Sequence, residues 1–225
     1  MLMKLNLIKV KSESSNTKSF FFTTDEKVDW QPGQYAYITL GEVTKQFTIA
    51  SSPTENFIQI TTNINKFSGF KQELDSLKIG SLIESRLPFG SFTFNYSTDP
   101  TPNALFLAGG IGVTPFRSFI KYNIDKNLKI RMLLIYSNSD SQFIFKEELD
   151  EWQKENDFIK VYYHDSSVLG HLDTIALTKL YPIPYGLNPI YYAVGPHAFV
   201  NSMEDILEGL NVSSDKISTE KFTGY

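Results

Sequence analysis

Two patterns of hydrophobic and polar positions divide the chain near residue 100. Up to Phe94, short runs alternate apolar and polar residues and are separated by polar or Pro/Gly-containing turns. Seven runs predict strands: KLNLIKV, SFFFTT, QYAYITL, QFTIA, FIQITTNI, SLIESRL and SFTF. One helix interrupts them, GFKQELDSLKIG, with Phe70, Leu74 and Leu77 on one face and its end at Gly80. The pattern predicts an antiparallel β-barrel or sandwich.

Beyond the polar stretch STDPTPN, Ser97 to Asn103, apolar strand-like runs alternate with helix-like runs. The predicted strands are ALFLA, KIRMLLIYS, FIKVYYH and PIYYAV; the predicted helices are one from about Pro115, FKEELDEWQKEN, LDTIALTKLY and VNSMEDILEGL. This alternation predicts a parallel sheet with helices on both faces. Because STDPTPN has the composition of a linker, we expect a β-barrel domain over residues 1–98 and an α/β domain over residues 102–225.

The stretch LFLAGGIGVTPFRSFI, residues 105–120, places a glycine-rich turn between a buried strand and a helix. Thr114 is predicted as the helix N-cap and Pro115 as the first helical residue. Gly110 and Gly112 leave bare backbone against which a ligand can lie, and amides at a helix start attract phosphate. The spacing Gly-x-Gly-x-x-Pro is a variant of the dinucleotide fingerprint. Taken alone, it is also compatible with a tight turn that binds nothing.

A second unusual stretch is KQFTIASSP, Lys45 to Pro53. A lysine two residues before an aromatic can meet a phosphate while the ring of Phe47 covers a flat ligand. Thr48 beside them can hydrogen-bond the edge of that ligand. The same residues also suit an ordinary strand end followed by a turn.

Composition excludes several function classes. The 225 residues are 41% hydrophobic and 20% charged, as in ordinary soluble globular proteins. A net charge of −4 without a basic block gives no reason to expect nucleic acid. Because there are no cysteines, disulfides, thiolate metal sites and cysteine-held iron–sulfur clusters are excluded, and three scattered histidines predict no metal site. No run is long and apolar enough for a membrane span and no signal peptide is evident, so we expect a cytoplasmic protein.

Five segments in order are similar to the ferredoxin–NADP reductase family of flavoproteins, and together they cover nearly the whole chain. KQFTIASSP resembles the flavin motif Arg-x-Tyr/Phe-Ser/Thr, with Lys45 in place of the arginine. PGQYAYI resembles the Pro-Gly-Gln strand start, and SGFKQEL with LPFGSF resembles the flavin-diphosphate helix and the turn after it. GGIGVTPFRSFI resembles the pyridine-nucleotide loop. YYAVGPHAFVNSM and ISTEKFTGY resemble the Gly-Pro nicotinamide loop and the terminal segment.

The resemblance implies a two-domain oxidoreductase that binds FAD, favoured over FMN, in the barrel domain. Lys45 would face the flavin diphosphate, Phe47 would stack on the isoalloxazine and Thr48 would lie near its N5. Glu220, Phe222 and Tyr225 would lie near the other face of the flavin, and Thr48, Glu220 and Tyr225 are the candidate catalytic residues. The other flavin-binding candidates are Ile49, Ser51, Ser68, Gly69 and Phe70.

The resemblance also implies that NADH or NADPH binds to the α/β domain and passes a hydride to the flavin. Gly110, Gly112, Thr114 and Pro115 would hold the nucleotide diphosphate. The nicotinamide pocket would be shaped by Val194, Gly195 and Pro196, with Val194 where many relatives have a cysteine.

Three positions keep alternatives open. The loop YSNSDSQF has no arginine or lysine for a 2′-phosphate, so Asp140 favours NADH, unless Asp140 only stabilises the turn. Glu220 is either a proton donor or a surface charge. Tyr225 either covers the flavin and yields to nicotinamide or belongs to a frayed terminus.

Three functional classes follow. The first is a reductase that passes electrons from its flavin to a separate acceptor, namely a ferredoxin, a flavodoxin or an oxygenase partner. The second is an NAD(P)H:flavin reductase for which free flavin is a substrate. The third is a non-catalytic sensor of flavin or nucleotide, which the intact glycine-rich loops disfavour. The sequence does not discriminate between the acceptors.

Overall fold

A computed structural model describes residues 2–64, 68–96, 103–180 and 189–222. They form two sheets that follow one another along the chain. The first part contains β1 (Leu2–Ser12), β2 (Thr17–Thr23), β3 (Tyr35–Leu40), β4 (Val43–Thr48), β5 (Ile58–Asn63), α1 (Gly69–Ser76) and β6 (Leu82–Phe89). The predicted interdomain linker falls almost entirely on residues 97–102, outside the described residues.

The first sheet is antiparallel, with six strands in the order β4-β3-β6-β1-β2-β5. A bridge between Ile49 and Ile60 joins the two edges, so the sheet curls into a barrel. Its interior is filled by alternate apolar residues of these strands, among them Leu5, Phe20 and Ile38, all at most 1% exposed. The predicted antiparallel β-rich half is confirmed.

The second part contains β7 (Ala104–Gly109), a 3₁₀ helix (Gly110–Val113), α2 (Thr114–Asp125), β8 (Met132–Asn138), α3 (Lys146–Glu155), β9 (Ile159–Asp165), α4 (Ser166–Leu169), α5 (Thr174–Leu180), β10 (Ile190–Pro196), α6 (His197–Gly209), a 3₁₀ turn (Ser214–Lys216) and β11 (Ile217–Phe222). Its five strands are parallel, in the order β11-β10-β7-β8-β9. Helices pack on both faces of this sheet, each over its own apolar core. Helices α2 and α3 lie on one face, and α5 and α6 lie on the other. The predicted α/β half is therefore confirmed. No helix of the described ranges is long and apolar enough to cross a membrane.

Two predicted elements differ from the structure, and one strand was not predicted. SFTF, Ser91 to Phe94, is not a strand, because Phe92 and Phe94 pack on Phe119 and Tyr192 of the second part instead of pairing in the barrel. Helix α1 ends at Ser76 and not at Gly80, which adopts φ +90° in the turn before β6. Strand β11 was not predicted from the sequence, because its residues are only half-buried and carry no continuous apolar run.

Candidate functional site

An open cleft lies between the barrel and the parallel sheet. Its empty volume is about 740 Å³, part of it open to solvent. Both parts of the chain supply its walls: Tyr35, Gln46, Phe47, Thr48, Thr61, Thr62, Asn63 and Lys71 from the barrel, and Ile111, Thr114, Glu220 and Phe222 from the α/β part. A ligand in this cleft would contact both halves at once.

An aromatic residue and a threonine line the barrel wall of the cleft at the end of β4. Strand alternation turns Phe47 inward, where its ring stacks on Phe70 of α1 with centroids 5.8 Å apart and planes 24° apart. Thr48 follows as the last residue of β4 and lines the cleft with its half-buried side chain. Phe47 and Thr48 therefore both line the cleft, as neighbours at the end of one strand.

Two lysines lie together beside the start of α1. Ser68 is the N-cap, and its hydroxyl accepts the amide of Lys71 at 3.4 Å. Lys71 is only 9% exposed and lines the cleft. Burial, and then the charge of nearby Lys45, lower the pKa of Lys71. Among the described residues, no carboxylate forms an ion pair with the Lys71 ammonium group.

Sequence reasoning missed Lys71. A cation in the first turn of a helix opposes the helix dipole, and a second lysine nearby adds repulsion. This arrangement is unfavourable unless an anion binds there, and two cations beside free helix amides match a phosphate group. The signal in the sequence was the lysine three residues after the N-cap Ser68, a position where acidic residues are favoured.

The glycine-rich turn lies at the opposite wall. The chain leaves β7 at Gly109, makes one 3₁₀ turn and only then enters α2. The prediction of Thr114 as N-cap is therefore wrong: Thr114 is the first residue of α2, and its hydroxyl donates to the Ile111 carbonyl at 3.0 Å. Pro115 is accordingly the second helical residue and not the first. A Cβ on Gly112 would lie 2.2 Å from the Val194 carbonyl oxygen, so only glycine lets this turn pack on β10.

A groove with an empty volume of about 680 Å³ continues from this turn along the carboxyl ends of β7 and β8. Gly110, Asp140 and Pro196 line it, as do Asn16 and Asn63 from the barrel. Nucleotides bind at this edge of parallel sheets. Asn63 lines both the groove and the cleft, so the two spaces are neighbours.

Asp140 takes part in a turn network within the groove. One of its carboxylate oxygens, Oδ1, accepts from the Asn138 side-chain amide at 2.9 Å and from the Gln142 backbone amide at 2.8 Å. The Gln142 side chain in turn accepts the backbone amide of Ser15, in the β1–β2 turn, at 2.9 Å. Asp140 therefore stabilises the turn, and it also lines the groove.

Glu220 lies in the wall of the cleft on β11. Parallel pairing sets Glu220 opposite Val194 and Phe222 opposite Pro196, so β11 brings the terminal segment to the Gly-Pro loop. Oε2 of Glu220 is buried and has no hydrogen-bond partner among the described residues. Burial raises the pKa of Glu220 to about 7. Glu220 thus differs from an exposed glutamate in that one of its carboxylate oxygens is buried.

Not every predicted residue reaches the cleft. Ile49, the residue after β4, is fully buried in the barrel core and does not line the cleft. Ser51 is also fully buried, and its hydroxyl accepts the Gln59 backbone amide at 3.0 Å. Neither side chain lines the cleft, so flavin contacts by Ile49 and Ser51 remain predictions. Val194 and Gly195 are buried behind the glycine turn. Tyr225 lies outside the described residues.

The residues present fit a flavin nucleotide and a pyridine nucleotide. The cleft supplies an aromatic wall, paired lysines at a helix start and a buried carboxyl oxygen without a partner. The groove supplies bare backbone at Gly110 and polar side chains.

Comparisons with known proteins agree with this geometry. Residues 4–94 match the family model described as an oxidoreductase FAD-binding domain, and residues 106–205 match the oxidoreductase NAD-binding domain. The glycine betaine monooxygenase reductase subunit of Pseudomonas aeruginosa is 26% identical over 96% of this chain and 63% of its own length. The flavohemoprotein of Candida albicans is 25% identical over 96% of this chain and 58% of its own length. The chain thus spans about three fifths of these curated relatives.

The solved structure of ferredoxin-NADP+ reductase from Plasmodium falciparum superimposes with a TM-score of 0.82 at 17% identity, covering 98% of this chain and 96% of that chain. This likeness concerns the fold. The two family models show that the chain belongs to the ferredoxin reductase-like flavoprotein family and has its FAD-binding and NAD-binding domains.

Proposed function

We propose that this protein transfers a hydride from NAD(P)H to bound FAD and passes the electrons to a separate acceptor. We assign FAD binding to residues 1–98 and nucleotide binding to residues 102–225. The observation that carries the proposal is the single cleft whose walls are Phe47 and Thr48 on one side and Ile111 and Thr114 on the other. A hydride donor and acceptor must touch, and a cleft shared by both halves provides the place.

The side chains of the cleft bind and orient. Lys45, Lys71 and the first amides of α1 neutralise a diphosphate, and the ring of Phe47 supports a planar group. Thr48 offers a hydroxyl at the edge of that group. A bound flavin supplies the redox chemistry, while the protein contributes position and electrostatics.

Glu220 holds a proton near the reacting centre. With a pKa of about 7, its carboxyl group is protonated in about half of the molecules at neutral pH. A group with such a pKa takes up and releases protons readily at neutral pH. Phe222, two residues on, adds an apolar surface to the same wall and excludes water. For Tyr225 the gating role remains a prediction.

The nucleotide is NADH in our proposal, because Asp140 puts a negative charge in the groove and YSNSDSQF contains no cation. A 2′-phosphate there would be repelled, whereas a ribose hydroxyl can donate to the carboxylate. Gly110 and Gly112 let the nucleotide diphosphate approach the backbone.

The acceptor is a partner protein of the ferredoxin, flavodoxin or oxygenase class. The proposal draws on relatives named as reductase components, namely the glycine betaine monooxygenase reductase subunit and the ferredoxin reductase component of a 3-ketosteroid-9-alpha-monooxygenase of Mycobacterium tuberculosis. The alternative is a flavin reductase that uses free flavin, since the lysine at position 45 binds phosphate without the bidentate grip of an arginine.

Gel filtration after reconstitution with FAD tests the proposal against this alternative. We expect FAD to elute with the protein and NADH to reduce it there. A protein that elutes without flavin yet oxidises NADH when free flavin is added is the flavin reductase. Flavin retention without reduction by NADH or NADPH would identify a sensor and contradict the proposal.

A further inference from the structure

One arginine of the α/β part binds the barrel part beside the cleft. Arg117 lies on α2 and is only 2% exposed. Its Nη1 and Nη2 donate to the two carboxylate oxygens of Glu55 at 2.9 and 3.1 Å, and Nη1 also donates to the Ala50 carbonyl at 3.0 Å. On its other side, Nε and Nη2 donate to both oxygens of Glu148 on α3 at 2.8 and 3.1 Å. All three guanidinium nitrogens are therefore used, in two bidentate pairs.

The position of Arg117 in the chain gives these contacts their importance. Ala50 to Glu55 is the turn that directly follows β4, so it continues from Phe47 and Thr48. Thr114, which begins α2 and lines the cleft, lies one helical turn before Arg117. The arginine thus ties the strand end on the barrel wall to the helix that carries the glycine-rich loop.

Neighbouring contacts support the same junction. The hydroxyl of Ser118 donates to the Ser51 carbonyl at 2.7 Å, and Thr54 donates to Asp125 at 2.5 Å. These bonds also run from the β4–β5 turn to α2. We call the set formed by Arg117, Glu55 and Glu148 the arginine clamp.

The clamp is better suited to specifying one relative placement of the β4–β5 turn and α2 than to raising the free energy of unfolding. Buried ion pairs lose much of their attraction to desolvation, and apolar replacements of similar volume often fold as well. Their geometry is nevertheless demanding, and the planar guanidinium fixes both partners in direction. The rings of Phe145 and Trp152 lie 5.6 and 5.4 Å from the guanidinium carbon and hold its plane in place.

We propose that Arg117 is a positioning residue that fixes the spacing and angle between the flavin-binding wall and the nucleotide loop, and so sets the hydride-transfer rate. The inference rests on the proposed function. Arg117 does not line the cleft or the groove, so its effect is exerted through Thr114 and the β4–β5 turn. Small errors in the placement of reacting groups lower rates strongly, about 100-fold for roughly 1 Å.

The test uses a variant that removes the clamp without leaving a charge buried. The triple variant Arg117→Met, Glu55→Gln, Glu148→Gln replaces the ion pairs by neutral groups of similar size. Arg117→Lys keeps the positive charge but cannot form the two bidentate pairs. It serves as a second variant should the triple variant not fold. The matched control is Asp150→Asn, which removes an ion pair with Lys146 that lies wholly within α3.

FAD affinity is measured by fluorescence titration, and the limiting rate of flavin reduction by anaerobic stopped flow at saturating NADH. We expect the limiting rate to fall about 10- to 100-fold in the clamp variants, while FAD affinity changes less than about threefold. The control should match the wild type in both. A wild type that is not reduced would refute the proposed function, whereas a folded clamp variant reduced at the wild-type rate would refute only the positioning role.

A distance measurement separates positioning from general loosening. The chain has no cysteines, so spin labels at Glu26→Cys on the barrel and Glu147→Cys on α3 report on the two halves without background. In FAD-bound protein we expect one narrow interlabel distance with the clamp and a shifted or broadened distribution without it. An unchanged distribution would overturn the inference even if the rate fell.

Discussion

The buried carboxyl group of Glu220 predicts a specific dependence of stability on pH. Burial raises its pKa to about 7 from the ordinary value near 4.5, a difference of about 2.5. At about 1.36 kcal/mol for each pKa unit, this corresponds to about 3 kcal/mol. Between these two pKa values the folded protein binds the proton and the unfolded chain does not. The contribution is therefore fully present below about pH 4.5 and is lost as pH rises through 7.

Replacing Glu220 by glutamine removes this titration and leaves a neutral group of the same shape. We expect the free energy of unfolding of Glu220→Gln, relative to the wild type, to rise by about 2–3 kcal/mol between pH 5 and pH 8. Urea denaturation of the flavin-free proteins over this range measures the difference, in which the carboxylates common to both proteins cancel. Tyr35, the titratable neighbour of Glu220 in the cleft, is present in both proteins.

The control is Glu208→Gln, which changes an exposed glutamate on α6 and should follow the wild-type curve. Parallel pH profiles for the wild type and Glu220→Gln would refute the reasoning. They would mean that water or another group solvates the carboxylate in the folded protein.

Three further predictions concern the ligand sites. Lys71→Met should weaken FAD binding about 10- to 100-fold by removing one charge-assisted contact, and leave the affinity for riboflavin, which has no phosphate, unchanged. Gly112→Ala should lower the free energy of unfolding by about 1–3 kcal/mol and weaken NADH binding, because the added methyl group would collide with the Val194 carbonyl. Asp140→Asn keeps the acceptor oxygen of its turn and removes the charge, so kcat/KM for NADPH should rise relative to NADH.

Each of these has a direct check. For the first, fluorescence titrations with FAD and riboflavin are compared with those of Lys78→Met, an exposed lysine just beyond α1. Equal losses for both flavins would argue against a phosphate contact. Thermal and urea unfolding measure the stability of Gly112→Ala. A free energy of unfolding equal to that of the wild type would show that the turn can accommodate a methyl group beside the Val194 carbonyl. If the ratio of kcat/KM for NADPH to that for NADH is the same in Asp140→Asn as in the wild type, Asp140 stabilises the turn and does not select the nucleotide.

The parts of the fold that follow from local periodicity were predictable. Alternation in runs such as QYAYITL fixes which residues enter the barrel, and the ALFLA run followed by GGIGVTP identifies a buried strand before a ligand-binding turn. The run SFTF has the same alternation, but Phe92 and Phe94 face the other half of the molecule. Periodicity reports that a side chain is buried, and it does not report which sheet buries it.

The site was predictable where a motif carries it and not where tertiary contacts create it. Phe47, Thr48 and Gly112 follow from their motifs. Lys71 reads as a polar helix residue, and only the fold brings it beside Lys45. Arg117 lies among apolar residues of a predicted helix, and its two glutamates are 62 and 31 positions away in sequence. Ile49 and Ser51 follow the same motif, but they are fully buried and do not line the cleft.

The most direct test of the central claim is an anaerobic titration of the FAD-reconstituted protein with NADH, followed by visible absorbance. We predict that the oxidised flavin bands bleach on addition of about one equivalent of NADH, and that NADPH bleaches them more slowly. Flavin bands that persist with both nucleotides would contradict hydride transfer across the shared cleft.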